Sequence, residues 1–278
     1  MKNLVYYLEK PGGTFVPVVE EIGEPGPGEI RLRTLRTSVC QSDVVIRKLG
    51  LPRIRRWPAI LLHEAACEVD AVGRGVTKFA PGDLVGLGCD IPCGDSGCVY
   101  CGDEGTGDWT SCPNTIATGH EFPGFARQYA ILPDWLVRLG PIVKFPRDAN
   151  PDHVCQLEPL ACCLEGMTRV NRCIENRVVV LIGAGSQSAY ALQSALAMNA
   201  RKIIVVNRGL ERLKRVVGDF GDQRVVGIRW DAEVLAAVKE ACRPFSSPHF
   251  VMVNAPCREA YELAPRLMGY GTVLDGHA

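Results

Sequence analysis

The sequence lacks an excess of charge of either sign, because 31 Lys and Arg residues are matched by 31 Asp and Glu residues. A neutral chain has no overall field that would attract nucleic acid or an anionic membrane. The sequence also lacks any run near the roughly 20 apolar residues that span a bilayer, and its N-terminus has no apolar signal-peptide segment. We therefore expect a soluble, cytoplasmic protein without nucleic-acid or membrane partners.

Cysteine, by contrast, is abundant: the 278-residue chain has 13, an odd number that cannot all form intramolecular disulfides. In a reducing compartment, clustered thiols bind metal more often than they cross-link. Five of them crowd one short stretch, namely Cys89, Cys93, Cys98, Cys101 and Cys112. The distribution predicts a metal site in that stretch.

Hydrophobic patterning divides the chain into two parts. Residues 30–34 alternate apolar and basic side chains, which is typical of a half-buried strand, and Pro/Gly turns cut the first half into short strands. Beyond about residue 150, apolar runs such as 177–182 alternate with helical segments such as 186–199. We predict an α/β protein with a β-rich first domain and a doubly wound parallel sheet in the second.

The candidate ligands of the first metal site are Cys93, Cys98, Cys101 and Cys112. Four thiolates suit tetrahedral zinc, and a Cys-x2-Cys pair presents two of them from one tight turn. A loop of free cysteines is the plain alternative. A zinc ribbon that binds nucleic acid is disfavoured because the loop is acidic. Cys89 is then the cysteine of this stretch that is not assigned as a ligand.

Several motifs, in one order along the chain, carry a resemblance to a known family. They are residues 37–43 (TSVCQSD), His63-Glu64, Pro81-Gly82-Asp83, Pro92-Cys93-Gly94 and Leu157-Glu158-Pro159. Together they resemble the zinc-dependent medium-chain dehydrogenases of the alcohol and polyol type. The resemblance implies a GroES-like β-barrel catalytic domain at residues 1–155, with a structural zinc lobe at 89–113, and a Rossmann NAD(P)-binding domain at 156–278. The Cys-x4-Cys and Cys-x10-Cys spacings are longer than the family's, and the Rossmann domain is expected to be C-terminally incomplete.

The same resemblance implies a catalytic zinc with Cys40 and His63 as ligands and a carboxylate, from Glu64 or Glu158, as the third. It places Asp43 behind His63, as the acceptor of a hydrogen bond from the far ring nitrogen, and Ser42 in a relay of the substrate proton. Helix capping is the competing role for Asp43 and Ser42.

Two further features of the sequence qualify this picture. The family normally has glycine before the His-Glu pair, where this chain has Leu62, and a side chain there could narrow the pocket or shift the backbone. A second pair, His120-Glu121, is expected in a solvated loop rather than at the metal.

The cofactor-binding candidates follow the buried run at 177–182. A turn of the G-x-G-x-x-G type lets a pyrophosphate approach backbone N–H groups at a helix N-terminus, with serine in place of the third glycine; its residues are Gly183, Gly185, Ser186, Gln187 and Ser188. The next strand ends without a carboxylate, so Asn207, Arg208 and Arg212 favour NADPH over NADH. The alternative has Asn207 bound to the ribose hydroxyl and Arg208 solvated.

The resulting expectation is a zinc-dependent oxidoreductase that transfers hydride between NAD(P) and a secondary alcohol or ketone, most plausibly a polyol, sugar or sugar phosphate. A basic stretch at residues 47–56 suggests attraction of an anionic substrate, although a solvated basic face is an equal alternative. A non-catalytic zinc- and nucleotide-binding regulator is the competing function. The full-length protein is expected to be a homo-oligomer.

Overall fold

The computed structural model describes residues 1–54, 56–107, 111–168 and 174–276. The chain forms two compact units, Met1–Glu158 and Pro159–Ala278. No helix in the part of the chain that the structure describes combines the length and apolar character needed to cross a membrane.

The first unit is built mainly from antiparallel strands. They are β1 (Lys2–Leu8), β2 (Phe15–Glu21), β3 (Ile30–Ser38), β4 (Glu64–Val72), β5 (Leu84–Leu87), β6 (Asp90–Ile91), β7 (Ile116–Ala117), β8 (Tyr129–Leu132) and β9 (Ile142–Phe145). The main sheet has the order β8-β3-β4-β5-β9, and β1-β2 and β6-β7 form separate two-stranded ladders. The helices are α1 (Gln41–Leu49), α2 (Asp134–Leu139) and α3 (Pro151–Val154), and α4 (Leu157–Thr168) contains the boundary between the units.

Strand β3 shows where the alternating pattern was an incomplete guide. Ile30 and Leu32 are fully buried, as expected, but Arg31 is buried too rather than facing solvent. A buried guanidinium must be paired, and Arg31 Nε donates to Asp70 at 2.6 Å while Nη1 donates to Glu24 at 3.0 Å. The ion pairs therefore allow a charged residue at this position in the strand.

The second unit contains the predicted parallel sheet. Its strands are β10 (Val178–Ile182), β11 (Lys202–Asn207), β12 (Val225–Arg229), β13 (Phe250–Val253) and β14 (Val273–Gly276), in the order β12-β11-β10-β13-β14. Its helices after α4 are α5 (Ser186–Ala197), α6 (Leu210–Phe220), α7 (Val234–Ala241) and α8 (Arg258–Leu267). Each strand pairing is parallel, so the doubly wound α/β prediction is confirmed.

Central strand β10 is buried along its whole length because helices cover both faces of the sheet. Val179 and Leu181 pack in one hydrophobic cluster, and Val178, Val180 and Ile182 pack in the other. Each such aliphatic side chain contributes about 1.5–3 kcal/mol by leaving water. The glycine turn that follows β10 is thus attached to a fully buried strand at the centre of the sheet.

Candidate active site

The pairing of β3 with β4 brings two segments distant in sequence to one end of the sheet. In the antiparallel register Ser38 lies opposite Glu64, and Ser38 Oγ donates a short hydrogen bond to Glu64 Oε2. Cys40 follows β3 and is the N-cap of α1, while His63 immediately precedes β4. The ladder therefore places the thiol and the imidazole side by side, as the motifs predicted.

Cys40, His63 and Glu64 each offer a ligand atom, and these three atoms lie within 4.8 Å of one another. His63 and Glu64 are buried, at 3% and 6% exposure. A buried thiol, imidazole and carboxylate are a donor set suited to zinc. Glu158 is outside this group of three; it lies in the first turn of α4.

The electrostatics of His63 also suit a cation. Burial opposes the charged imidazolium, but the hydrogen bond with Cys40 and the charges of Asp43, Glu158 and Cys40 outweigh it and raise the pKa of His63 to about 9. In the metal-free protein a proton therefore supplies the positive charge that the surrounding groups favour. Metal binding would have to displace that proton.

Asp43 accepts hydrogen bonds from backbone N–H groups rather than the one that was expected from the His63 ring. Its Oδ2 accepts the backbone N–H of Cys40 at 2.8 Å, and its Oδ1 accepts the N–H of Leu62 at 3.2 Å. Within the described residues, His63 Nδ1 is buried without a hydrogen-bond partner. The carboxylate thus caps α1 and joins the backbones of the two ligand segments, because both of its oxygens face N–H groups rather than the ring.

Ser42 lies in the first turn of α1, and its Oγ is buried without a hydrogen-bond partner in the described part of the chain. Of Ser42 and Asp43, it is therefore Asp43 that performs the competing role of helix capping. A buried hydroxyl without a partner is costly unless a further group binds it. The orphaned atoms of Ser42 and His63 fit a site that is completed by metal and substrate.

The loop at residues 118–122 differs from the expected solvated loop. The His120 and His63 rings have centroids 5.6 Å apart, and His63, Cys89 and His120 form a second group with donor atoms within 4.8 Å. Glu121 pairs with Arg53 at 2.8 Å and is 10% exposed. Backbone bonds from Gly124 to Ile60 and from Phe125 to Leu62 hold this loop against the segment before β4, which sequence spacing could not show.

The four lobe cysteines converge as predicted from their spacing. Cys101 Sγ is 3.4 Å from Cys93 Sγ and 3.5 Å from Cys98 Sγ, and Cys98 Sγ is 3.7 Å from Cys112 Sγ. These separations exceed the roughly 2.05 Å of a disulfide but suit four thiolates around one ion. Backbone N–H groups of Cys101 and Tyr100 lower the pKa of the Cys98 thiol to about 7, so one ligand is readily deprotonated.

The glycine turn of the second unit leaves space where a dinucleotide would need it. Gly183 has φ +118°, and a Cβ there would lie 3.1 Å from the backbone of Asn254. Gly185, the N-cap of α5, would meet nothing within 4 Å. Ser188 is fully buried, and its Oγ donates to Gly183 O at 2.8 Å, so the serine substitutes for the third glycine without a steric conflict.

Of the remaining dinucleotide candidates, Gln187 and Asn207 have side-chain partners within the chain. Ser186 begins α5, and Gln187 accepts a hydrogen bond from Cys163 Sγ at 2.9 Å. Asn207 Nδ2 donates to Gly209 O at 2.8 Å. Arg212 is an exposed residue of α6.

Arg208 and Asn254 flank the carboxyl ends of strands β11 and β13. The Arg208 guanidinium lies 4.6 Å from the centre of the Trp230 ring and 3.6 Å from Glu259. Asn254, absent from the sequence predictions, is buried with both amide atoms unpartnered among the described residues. Its position after β13 was the only available signal, since ligands bind at the carboxyl ends of parallel strands.

Comparison with known proteins gives matches to both units. The model of the alcohol dehydrogenase GroES-like domain matches residues 26–142, and that of shikimate/quinate 5-dehydrogenase matches residues 167–260. An alcohol dehydrogenase from Thermotoga maritima superimposes with a TM-score of 0.86 at 22% identity, covering 99% of this chain and 76% of that structure. Residues 26–142 therefore belong to the alcohol dehydrogenase GroES-like domain family, and the chain has the fold of the alcohol dehydrogenases.

Individual family members differ in their reactions. L-threonine 3-dehydrogenase of Pyrococcus horikoshii is 31% identical over 73% of this chain and 56% of its own length. Acryloyl-coenzyme A reductase of Metallosphaera sedula is 29% identical over 77% and 62%, and galactitol 1-phosphate 5-dehydrogenase of Escherichia coli is 27% identical over 87% and 65%. The chain thus spans 56% to 65% of the length of these relatives.

Leu62 has a backbone conformation that is unusual for leucine. This residue has φ +71°, in the left-handed region that glycine adopts without steric cost. The medium-chain dehydrogenases normally have glycine here, and this chain keeps the glycine-like backbone with a leucine side chain. The backbone before His63 is therefore strained, because a leucine occupies this conformation.

Proposed function

We propose that the protein is a zinc-dependent oxidoreductase that transfers a hydride between NAD(P) and a secondary alcohol or ketone. The observation that carries the proposal is the buried group of Cys40, His63 and Glu64, whose donor atoms lie within 4.8 Å of one another. When bound, zinc would stabilise negative charge on the substrate oxygen, and the nicotinamide would exchange the hydride. The first unit is the proposed catalytic domain and the second the proposed dinucleotide domain.

The chain's own residues have distinct proposed roles at the metal. Cys40 and His63 bind the ion, and Glu64 or Glu158 supplies the carboxylate. Ser42 Oγ, buried and unpartnered within the described residues, holds the substrate hydroxyl and passes its proton on. Asp43 fixes the Cys40 and Leu62 backbones and so acts as a positioning residue.

The proposed structural zinc is held by Cys93, Cys98, Cys101 and Cys112, whose sulfur atoms form one group. Among its described residues, 89–107 and 111–113, the lobe has one short strand, β6, so thiolate bonds to a metal would supply most of the order of this part. Chelation should therefore loosen this segment.

For the cofactor, we propose that the pyrophosphate lies over the open space at Gly185, beside Gly183, Ser186, Gln187 and Ser188. NADPH is the favoured coenzyme because Arg208 lies at the end of β11 with no carboxylate in that strand. Glu259 already pairs with Arg208 at 3.6 Å, and a 2′-phosphate would compete with it, with Arg212 nearby in sequence. Kinetics with both coenzymes test this, and a strong preference for NADH would contradict it.

For the substrate, we propose a polyol, sugar or sugar phosphate. The support is the exposed basic residues Arg47, Lys48 and Arg56 together with the similarity to galactitol 1-phosphate 5-dehydrogenase. Arg53 forms an ion pair with Glu121. Its proposed role is therefore to hold the 118–122 loop in place and also to contribute positive charge for an anionic substrate. Arg55 lies outside the described residues. We also propose that the full-length protein is a homo-oligomer and that it is located in the cytoplasm.

The decisive experiment combines zinc analysis with turnover of a panel of polyols, sugars and their phosphates by the full-length protein. We expect about two zinc ions per chain and NAD(P)-dependent turnover that Cys40→Ser abolishes. The matched control is Cys155→Ser, a buried cysteine outside the groups of potential ligands among the described residues. About one zinc per chain with no turnover would instead support a non-catalytic regulator.

A further inference from the structure

A second set of potential ligands adjoins the first and shares one residue with it. The ligand atoms of His63, Cys89 and His120 lie within 4.8 Å of one another, the same limit that Cys40, His63 and Glu64 satisfy. Cys40 and Glu64 do not join Cys89 and His120 in one larger group among the described residues. The two sets are therefore separate positions that share His63.

Backbone hydrogen bonds hold Cys89 and His120 in place. Thr118 N–H donates to Cys89 O at 3.0 Å, and His120 N–H donates to Ala117 O at 3.1 Å. His120 Nδ1 lies 3.2 Å from Thr118 O, and the adjoining residues Asp90 and Ala117 pair in the β6–β7 ladder. Both side chains are thus presented by a short ladder and its turn rather than by a loop free to move.

The chemistry of the set suits a soft divalent cation. Two imidazoles and a thiol are donors that zinc binds in proteins. Bonds of about 2.0 Å to nitrogen and 2.3 Å to sulfur imply donor separations of roughly 3.6 Å around a tetrahedral ion. Donor atoms within 4.8 Å therefore need to contract by only about 1 Å.

We propose that zinc has an alternative position at His63, Cys89 and His120, beside the position at Cys40, His63 and Glu64. A neutral imidazole has one unprotonated nitrogen, so His63 serves one ion at a time. One zinc then exchanges between the two positions. The inference rests on the proposed function only for the role of His63 as a ligand.

The zinc content of the wild type and of three variants tests the proposal. The four-cysteine lobe is expected to contribute one zinc ion to each of these counts. The wild type, Cys40→Ser/Glu64→Gln and Cys89→Ser/His120→Asn should each hold about two zinc ions per chain, whereas the variant with all four changes should hold about one. His63 is kept throughout. In chelator competition, adding the Cys89 and His120 changes to Cys40→Ser/Glu64→Gln should weaken zinc binding by more than about 100-fold, beyond the effect of losing an outer-shell partner.

The outcomes separate this inference from the proposed function. If Cys40→Ser/Glu64→Gln retains native circular dichroism but holds about one zinc, the alternative position is refuted, and Cys89 and His120 merely pack against His63. About three zinc ions in the wild type would refute a shared ion. If instead Cys89→Ser/His120→Asn holds only about one, the proposed catalytic position fails while the alternative position stands. Cobalt substitution adds a readout, because the thiolate absorption of Cys40→Ser/Glu64→Gln in excess of that from the four-cysteine lobe should be lost on adding Cys89→Ser.

Discussion

Replacing Asp43 with asparagine should weaken both the first unit and its metal site. The carboxylate accepts two backbone N–H groups, from Cys40 at 2.8 Å and Leu62 at 3.2 Å. An asparagine of the same shape can accept only one, because its NH2 group faces the other N–H. Loss of one hydrogen bond to a charged acceptor costs about 1.5–3 kcal/mol. For a unit of this size that lowers the thermal midpoint by about 3–12 °C.

The assay is thermal unfolding in chelator, which removes the contribution of bound metal, followed by zinc competition at fixed pH. We expect zinc affinity at Cys40 and His63 to fall by about 10–100-fold, as for other partners that orient ligands. Asp152→Asn is the control, because its pair with Arg36 is solvent-exposed on both sides and is worth less than about 1 kcal/mol. An Asp43→Asn protein with unchanged midpoint and zinc affinity would refute the reasoning.

Three further sets of substitutions test the glycine turn, the strained leucine and the largely buried carboxylate of Asp83. Gly185→Val should unfold at the wild-type temperature yet lose dinucleotide binding in calorimetric titration, because a Cβ there meets nothing within 4 Å; Gly183→Ala should itself be destabilised, since its φ is +118°. Leu62→Gly should be more stable than Leu62→Ala by about 1 kcal/mol, because φ is +71°, and equal stability would show that no strain exists. The N–H of Ala80 and two basic side chains hold the pKa of Asp83 below its usual value. The charged form of Asp83 therefore stabilises the folded state at a pH above the usual pKa of aspartate. The advantage of wild type over Asp83→Asn in thermal midpoint should therefore persist at neutral pH and shrink as pH falls below about 4; a gap that widens in acid would contradict the sign.

Sequence patterns that act over a few neighbouring residues were sufficient to predict much of the architecture. The apolar run at 177–182 predicted a strand buried on both faces, and β10 is that strand. The Cys-x2-Cys pair predicted a turn with converging thiols, and Cys98 and Cys101 lie 3.5 Å apart. The capping role considered for Asp43 also follows from local sequence, because an N3 carboxylate can reach the N-cap N–H.

Contacts between distant segments were harder to predict. Nothing local indicated that the Asp43 carboxylate would also accept the Leu62 N–H or that His120 would lie beside His63. The solvated loop expected at His120 was wrong because backbone bonds from residues 124 and 125 attach that loop to residues 60 and 62. Asn254 was missed since its sequence signal, a single amide directly after a strand, is weak.

The sequence by itself determined the chemistry that is available: thiols, imidazoles and carboxylates in a recognisable order, and a glycine turn between a strand and a helix. Hydrophobic periodicity and turn residues act over a few neighbours, so they also determined the elements. Only the tertiary structure decided which donors share a position, because the β3–β4 register and the loop at 118–125 set distances between residues far apart in the chain. His63 therefore belongs to two sets of ligands, a property of the fold that no segment of the chain carries alone.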